Sequence, residues 1–350
     1  MNRAEILAAI RARRPIEDQD LSGVDLAGAD LAGGRFERVR LCGADLRRTA
    51  LGRTGFEACD FTGARFDGAD LTRMLFRETP FTGAGFREAR IHLSVLNACD
   101  FTGADFQGAY LGWSALDQAR MDRASLRGAT LEKLGLLKAS LEGAELEGAR
   151  LDRVLLQEAR LGTARLKGAS FLRVGLGQCD LAGQDLRGVR MELVNFMKAR
   201  LAGVDLEAAT LLNSLFQEAD LSGANLQGAQ ARNGMFQGAC LDGARLTGAD
   251  LAQGCFRHAD LTGADFTGAN LSHGLFEGAR CRRTCFRRAD ARHADFTEAE
   301  LVGADFRSAS LAMARFHRTR EEQVDWGGAD RTRLRGTDPD QAEAEAFRPR

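Results

Sequence analysis

The chain has 350 residues with 48 Lys and Arg against 49 Asp and Glu, a formal net charge of -1. That balance supplies neither a global basic field to hold nucleic acid nor a global acidic field to imitate it. No run of about eighteen apolar residues occurs, and the N-terminal MNRAEILAAIRARRP has no apolar core or small-residue cleavage site, so neither a membrane span nor a secretory signal is expected. A cytoplasmic protein is the expectation. The eight cysteines include no C-x-x-C pair. Cys59, Cys99 and Cys179 stand where alanine is usual, which reads as small core residues in a reducing compartment.

Taken in chain order, Asn2 to Arg13 has the spacing of a short amphipathic helix, with Ile6, Leu7 and Ile10 on one face and Asn2 and Glu5 at capping-box separation. Residues 1–15 are therefore expected to cap whatever follows. From Ile16 an apolar residue falls at every fifth position, with a small residue two places before most of them. Steps of five advance about 140° beyond a full helical turn and would scatter the apolar positions around a helix. On a flat strand an odd period would send alternate leucines to opposite faces. A backbone that turns a corner every five residues buries the pattern; helix and strand do not.

These residues resemble the pentapeptide-repeat family, whose motif is A-[D/N]-L-x-x. It reads ADLTG at 259–263, ADFTG at 264–268, ANLSH at 269–273 and ADLAG at 29–33. The Asp/Asn position is often Arg instead, as at Arg40, Arg120, Arg160, Arg200 and Arg280. The resemblance implies an all-β fold, a right-handed quadrilateral β-helix with four pentapeptides per coil. Residues 16–320 are assigned to it, making about fifteen four-sided coils, and residues 321–350 form a C-terminal cap and a charged, flexible tail. Trp326 is placed as an apolar lid on the last coil, and residues near Asp338 to Phe347 hold the signals of a short helix.

A second period, of twenty, is present in the residues themselves. Stepping by twenty from Gly23 meets glycine at nearly every corner, whereas the corner ten residues on is never glycine after Gly33 and runs Arg53, Arg73, Leu93, Trp113, Lys133, Arg153, Arg173, Leu193. The four sides are therefore not equivalent.

The histidines (His92, His258, His273, His293, His317) fall at outward positions of different coils without a Ser or Cys partner at useful spacing. His273 and His293, one coil apart, are the nearest approach to a metal pair. The glycine-rich corners lack the following helix of a phosphate loop. Catalytic, cofactor and metal sites are thus expected to be absent, and with them a small-molecule substrate. Recognition of a protein is the stronger reading. One outward column turns apolar at Leu75, Val95, Leu155, Leu215, Met235 and Leu275, beside the corner column carrying Arg53, Arg73, Trp113, Arg153 and Arg173. An apolar stripe edged by cations suits a protein partner. The mixed-sign column from Asp20 to Asp220 reads as register support, and the arginines 280, 282, 283, 287, 288 and 292 as a weaker anion-site candidate.

Some members of the family imitate duplex DNA and bind type II topoisomerases such as DNA gyrase; that role is the alternative here, set back by the missing negative charge. Long, uninterrupted, Arg-rich members whose short helix runs into D-L-S-G-x-D-L-x-G, here Asp20 to Gly28, resemble accessory proteins of bacterial type VI secretion loci. The resemblance thus implies a scaffold or adaptor, with a homodimer through the C-terminal end as a further expectation and nucleic acid or membrane binding not expected.

Overall fold

The computed structural model describes residues 1–337, so the expected helix through Phe347 lies outside the described residues. The chain divides into two compact units, Met1–Asp180 and Leu181–Arg350. In each, one parallel register holds throughout, in which a residue pairs with the one twenty positions on, as in Asp20↔Arg40 in the first unit and Leu215↔Met235 in the second. Twenty residues per coil and a corner every five make each coil four-sided. The fold is the expected all-β quadrilateral β-helix, preceded by one helix.

Each corner turns on a residue in the left-handed region. At Gly223 φ is 62°, and the turn is closed by the Ala224 N–H donating to the Leu221 carbonyl at 3.0 Å, the geometry of a type II turn, which needs positive φ at its third residue. The corner that is never glycine after Gly33 uses the same conformation, from Arg53 at φ 61° and Trp113 at 52° to Met313 at 63°. Left-handed geometry costs a residue with a Cβ about 1–2 kcal/mol. These corners retain a side chain despite that penalty.

Corners differ in whether the turn bond forms, and the three-residue strands all run into corners where it does not. The three-residue strands are β2 (Arg35–Glu37), β3 (Gly55–Glu57), β4 (Leu75–Arg77), β5 (Arg90–His92), β6 (Val95–Asn97), β7 (Tyr110–Gly112), β8 (Thr130–Glu132), β9 (Arg150–Asp152), β10 (Ser170–Leu172) and β11 (Arg190–Glu192), after a two-residue β1 (Ile16–Glu17). Each runs into an open corner without the bond that closes the turn at Ala224. At two of these corners a serine one coil on accepts the freed N–H: Ser94 donates to Ser114 Oγ at 3.0 Å and Val194 to Ser214 Oγ at 3.2 Å. The expected count of about fifteen coils needs correction for the strand-built part. Strands recur from Ile16 to Glu192, about nine turns. Beyond Glu192 closed turns leave one ladder-paired residue per side, and the register continues as isolated bridges as far as Arg315↔Arg335.

The interior is a set of stacked columns. In the second unit Phe196, Phe216, Phe236, Phe256, Phe276, Phe296 and Phe316 lie face over face with centroids 4.6–4.9 Å apart. In the first unit Phe61, Phe81 and Phe101 form one such column and Phe66, Phe86 and Phe106 another. Trp326 extends the column Phe266, Phe286, Phe306, lying 4.9 Å from Phe306 at 13° and half-buried, within a register that continues to Arg315↔Arg335. In the first unit α1 (Arg3–Arg11) has the full capping box between Asn2 and Glu5 and buries Ile6 and Ala9.

The small inward positions hold Cys59, Cys99 and Cys179, all buried. Burial pushes the Cys99 thiol up to about 11 and the Cys179 thiol up to about 12. A thiolate is the reactive form, so native protein treated with a thiol reagent at neutral pH is expected to leave Cys59, Cys99, Cys179 and Cys281 unmodified, and denatured protein to react at all four. Peptide mapping of the labelled sites checks this.

Candidate protein-binding face

From β4 onward on the side that also carries β2 and β3, the outward residues stack one per coil. The pairs Leu75↔Val95, Val95↔Ala115, Ala115↔Gly135 and Gly135↔Leu155 place the first unit's share of the expected stripe in one column. Leu75 is 58% exposed and Leu155 46%. On the adjoining corner column Leu93 is 44% exposed and Trp113 50%. The left-handed corner projects these side chains outward, since its turn leaves no inward path for a Cβ substituent.

Cations rim the strip unevenly. Lys133 Nζ lies 3.4 Å from the Trp113 ring centroid, covering one face of the indole. Arg153 and Arg173 both lean on Asp152, at 3.6 and 3.9 Å. Arg53 and Arg73 are exposed and make no ion pair among the described residues. On the far side of this rim the Arg90 guanidinium sits 4.8 Å from the Tyr110 centroid, while the Tyr110 hydroxyl donates to Glu132 at 3.1 Å.

The residues of the stripe in the second unit behave differently. Leu215, Met235 and Leu275 are half-buried and Cys255 between them is 5% exposed. Apolar residues on successive coils cover one another there, whereas Ala115 and Gly135 leave Leu155 standing alone. Among the described residues of that unit the exposed large apolar side chains are Leu193 and Met197.

Other candidates are occupied by local pairing. Arg40 meets Asp20 at 3.5 Å and Arg120 meets Asp100 at 3.8 Å, in line with register support. Of the arginine belt, Arg280, Arg282, Arg287 and Arg292 each hold a carboxylate, on Asp260, Glu300, Asp305 and Asp290. The His273 and His293 rings stack at 4.7 Å and 3°. A metal lies in the plane of each imidazole it binds at about 2.0–2.1 Å, so two parallel rings in this pose do not share one. His317, expected outward, is 1% exposed. Among the described residues no group of three or more His, Cys, Asp or Glu is placed to hold a metal, and no helix is long and apolar enough to cross a membrane.

Sequence reasoning missed Arg35, Gly55 and Arg77, which surround the first-unit end of the strip. The signal was available, because Arg35 and Gly55 precede Leu75 in the same column of twenty. Following only the column's apolar members passed over them.

No curated protein matches this sequence. Among solved structures, full-length QnrB1, a plasmid-mediated fluoroquinolone resistance protein, is 17% identical with a TM-score of 0.31, over 70% of this chain and 92% of that one. HetL from the cyanobacterium Nostoc sp. strain PCC 7120, involved in heterocyst differentiation regulation, is 26% identical with a TM-score of 0.17, over 87% of this chain and 96% of that one. A pentapeptide repeat protein from the Arabidopsis thaliana thylakoid lumen is 29% identical with a TM-score of 0.26, over 37% and 75%. The family model for pentapeptide repeats matches in eight copies, at residues 20–57, 59–97, 94–132, 136–171, 176–213, 211–248, 244–280 and 284–320. With that model spread over most of its length and a four-sided twenty-residue coil beneath it, the chain belongs to the pentapeptide repeat family.

Proposed function

We propose that this protein is a non-enzymatic binding scaffold that docks a protein partner on the strip from Leu75 to Leu155. One observation carries the reading. Of the five large apolar side chains exposed in the first unit, four (Leu75, Leu93, Trp113, Leu155) lie on one side and its adjoining corner column, and only Met1 lies elsewhere. Grouping of this kind on an otherwise charged surface marks association, and a stacked array presents it on a rigid support. Leu215, Met235 and Leu275 enter as a secondary patch of the second unit.

The full chain used as bait is expected to retain a specific partner from lysate, and Leu93→Glu with Leu155→Glu to lose it while the melting midpoint stays within about 2 °C. Equal capture by the double variant would remove this strip from the function.

The finer role follows from the N-terminal pattern. A helix leading into Asp20 to Gly28 supports an accessory or effector-loading role in a bacterial type VI secretion locus, in the cytoplasm; recovery of secretion components in the capture experiment is its test. Self-association through the C-terminal end belongs to the same reading and is measured by sedimentation of the full chain. The alternative, protection of DNA gyrase by imitation of DNA, is opposed by the net charge of -1 and by the arginine rim. Potent inhibition of supercoiling by the purified protein would reinstate it.

A further inference from the structure

In the first unit the coil-to-coil ladder parts between one pair of coils, on two adjoining sides: neither Gly55 and Leu75 nor Asp60 and Pro80 are bridged, and proline has no N–H to donate. β1, β2 and β3 form one sheet and β4 and β6 another, so the hydrogen-bonded side ends at Gly55–Glu57 and restarts at Leu75–Arg77. The rungs made one coil earlier, Gly55 N–H to Gly34 at 2.9 Å and Arg38 N–H to Glu57 at 2.8 Å, have no counterparts from Leu75 N–H to Thr54 or from Ala58 N–H to Arg77. The ring columns open at the same point, from 4.9 Å between Phe36 and Phe56 to 5.7 Å between Phe56 and Phe76. Phe56 is the most exposed of the core phenylalanines at 9%.

A hollow lies over this parting, with Gly55 contributing no side chain and no atom within 4 Å of where its Cβ would stand. Arg35, Arg53, Arg73 and Arg77 line it, together with Leu75 and two carboxylates, Glu37 and Glu57, the first of which lies 3.7 Å from Arg38. None of those four arginines has an ion-pair partner among the described residues, whereas Arg38, Arg40, Arg47 and Arg65 on the neighbouring corners and sides are all paired.

We propose that this hollow, where four unpaired arginines surround a parted β ladder beside the exposed Leu75, receives an acidic, extended polypeptide segment carrying an apolar residue. The proposal rests on the protein-binding reading above and names the chemistry of the segment that the end of the strip selects. Two features choose a peptide over a nucleic acid. Glu57 stands inside the rim, which a uniformly anionic strand would have to approach. Leu75 and Phe56 supply an apolar floor for a Leu- or Phe-sized group. Opposite charge around that floor gives arginine the carboxylates it pairs with two oxygens at a time. An added strand needs about 4.8 Å on each side, more than a 5.7 Å ring separation leaves, so the segment lies across the mouth of the parting and does not insert between coils.

The test uses the full chain and four fluorescein-labelled probes read by anisotropy: a twelve-residue peptide alternating Glu and Leu, the same pattern with Lys for Glu, the acidic peptide with Ser for Leu, and a twelve-base oligothymidylate. The first is expected to bind at least about tenfold more tightly than each of the others. Arg53→Glu with Arg73→Glu is expected to weaken it by about tenfold or more and to transfer preference to the Lys/Leu peptide. Glutamate occupies left-handed corners natively at Glu78, Glu88 and Glu158, so the double variant keeps a tolerated corner residue, and circular dichroism verifies its fold. Absence of binding by the acidic peptide up to about 1 mM, unchanged affinity in the double variant, or tighter binding of the oligonucleotide overturns the proposal. Loss of partner capture in the Leu93→Glu, Leu155→Glu protein is read separately. If capture depends on that strip and not on Arg53 and Arg73, the docking reading stands and the acidic-segment proposal falls; if the peptide binds while capture ignores the strip, the reverse holds.

Discussion

Phe236→Ala is expected to lower the free energy of unfolding by about 3–5 kcal/mol, among the largest effects any single substitution has in the second unit. Phe236 is fully buried and lies between Phe216 at 4.7 Å and Phe256 at 4.8 Å, both within 1° of parallel. Truncation removes one ring from an unbroken column and leaves two ring faces against a void, which the hydrogen-bonded coils above and below are too constrained to close. Stacked pairs add about 0.5–1.5 kcal/mol each beyond area burial. A partner substitution makes the test specific. Gly234 replaces the usual small residue because a Cβ there would stand 2.6 Å from Phe236 Cε2 and 2.9 Å from the Ala231 carbonyl. Gly234→Ala alone is therefore expected to destabilise by about 1–3 kcal/mol. Combined with Phe236→Ala it should cost less than the sum, because the ring it collides with is gone while the carbonyl contact persists. Guanidinium unfolding of the four proteins gives the coupling, and additivity within about 0.5 kcal/mol would mean that the ring does not dictate the glycine.

The coil was legible because burial imposes the period of five and stacking imposes the period of twenty, and both constrain residue type at fixed positions. Leu221, Leu226, Phe236 and Leu241 could face nowhere but inward, and the structure buries all four. The capping helix was legible through Asn2 and Glu5 for the same reason, since a side chain three residues from its backbone partner is a local matter. What the periods left unspecified is turn closure. The open corners at Leu93 and Leu193 have the residue types of closed ones, and the difference lies in a hydrogen bond that Ser114 or Ser214 replaces from the next coil. For that reason the strand-built turns were overcounted. The candidate face was legible as a column but not as a surface. Leu75 and Leu215 occupy equivalent positions in the repeat, yet the former is 58% exposed while the latter is half-buried beside Met235. Exposure depends on the neighbour twenty residues away, and the parting between β3 and β4 adjoins the unbridged Asp60–Pro80 side of the same two coils, where proline has no N–H to donate.

Acidification is expected to leave the melting midpoint flat from neutrality to about pH 5 and then to lower it steeply through pH 4 and below. The cause is a set of carboxylates that bind arginine in the folded state. Asp305 is held far below the usual carboxylate range, first by hydrogen bonds from the Arg307 side chain, against the opposing effect of burial, and then by Arg287. Arg307 donates from Nη2 at 2.7 Å and from Nε at 3.0 Å. Asp45 is lowered by Arg47, Asp290 by Arg292 and Glu300 by Arg282 in the same way. A folded pKa below the unfolded value means that the unfolded chain takes up more protons as the pH falls. The stabilisation is therefore complete above the ordinary value of 3.8 for aspartate and drains away as the pH drops toward the lowered one. Asp305→Asn should lower the midpoint at neutral pH, because it leaves Arg287 and Arg307 facing each other without the carboxylate between them. Below pH 3.8 the unfolded chain's aspartate takes up its proton while folded Asp305 stays ionised, so the gap between the two midpoints should narrow steadily as the pH falls toward 2. Curves that run parallel from pH 7 to pH 2 would show that Asp305 contributes packing and not charge.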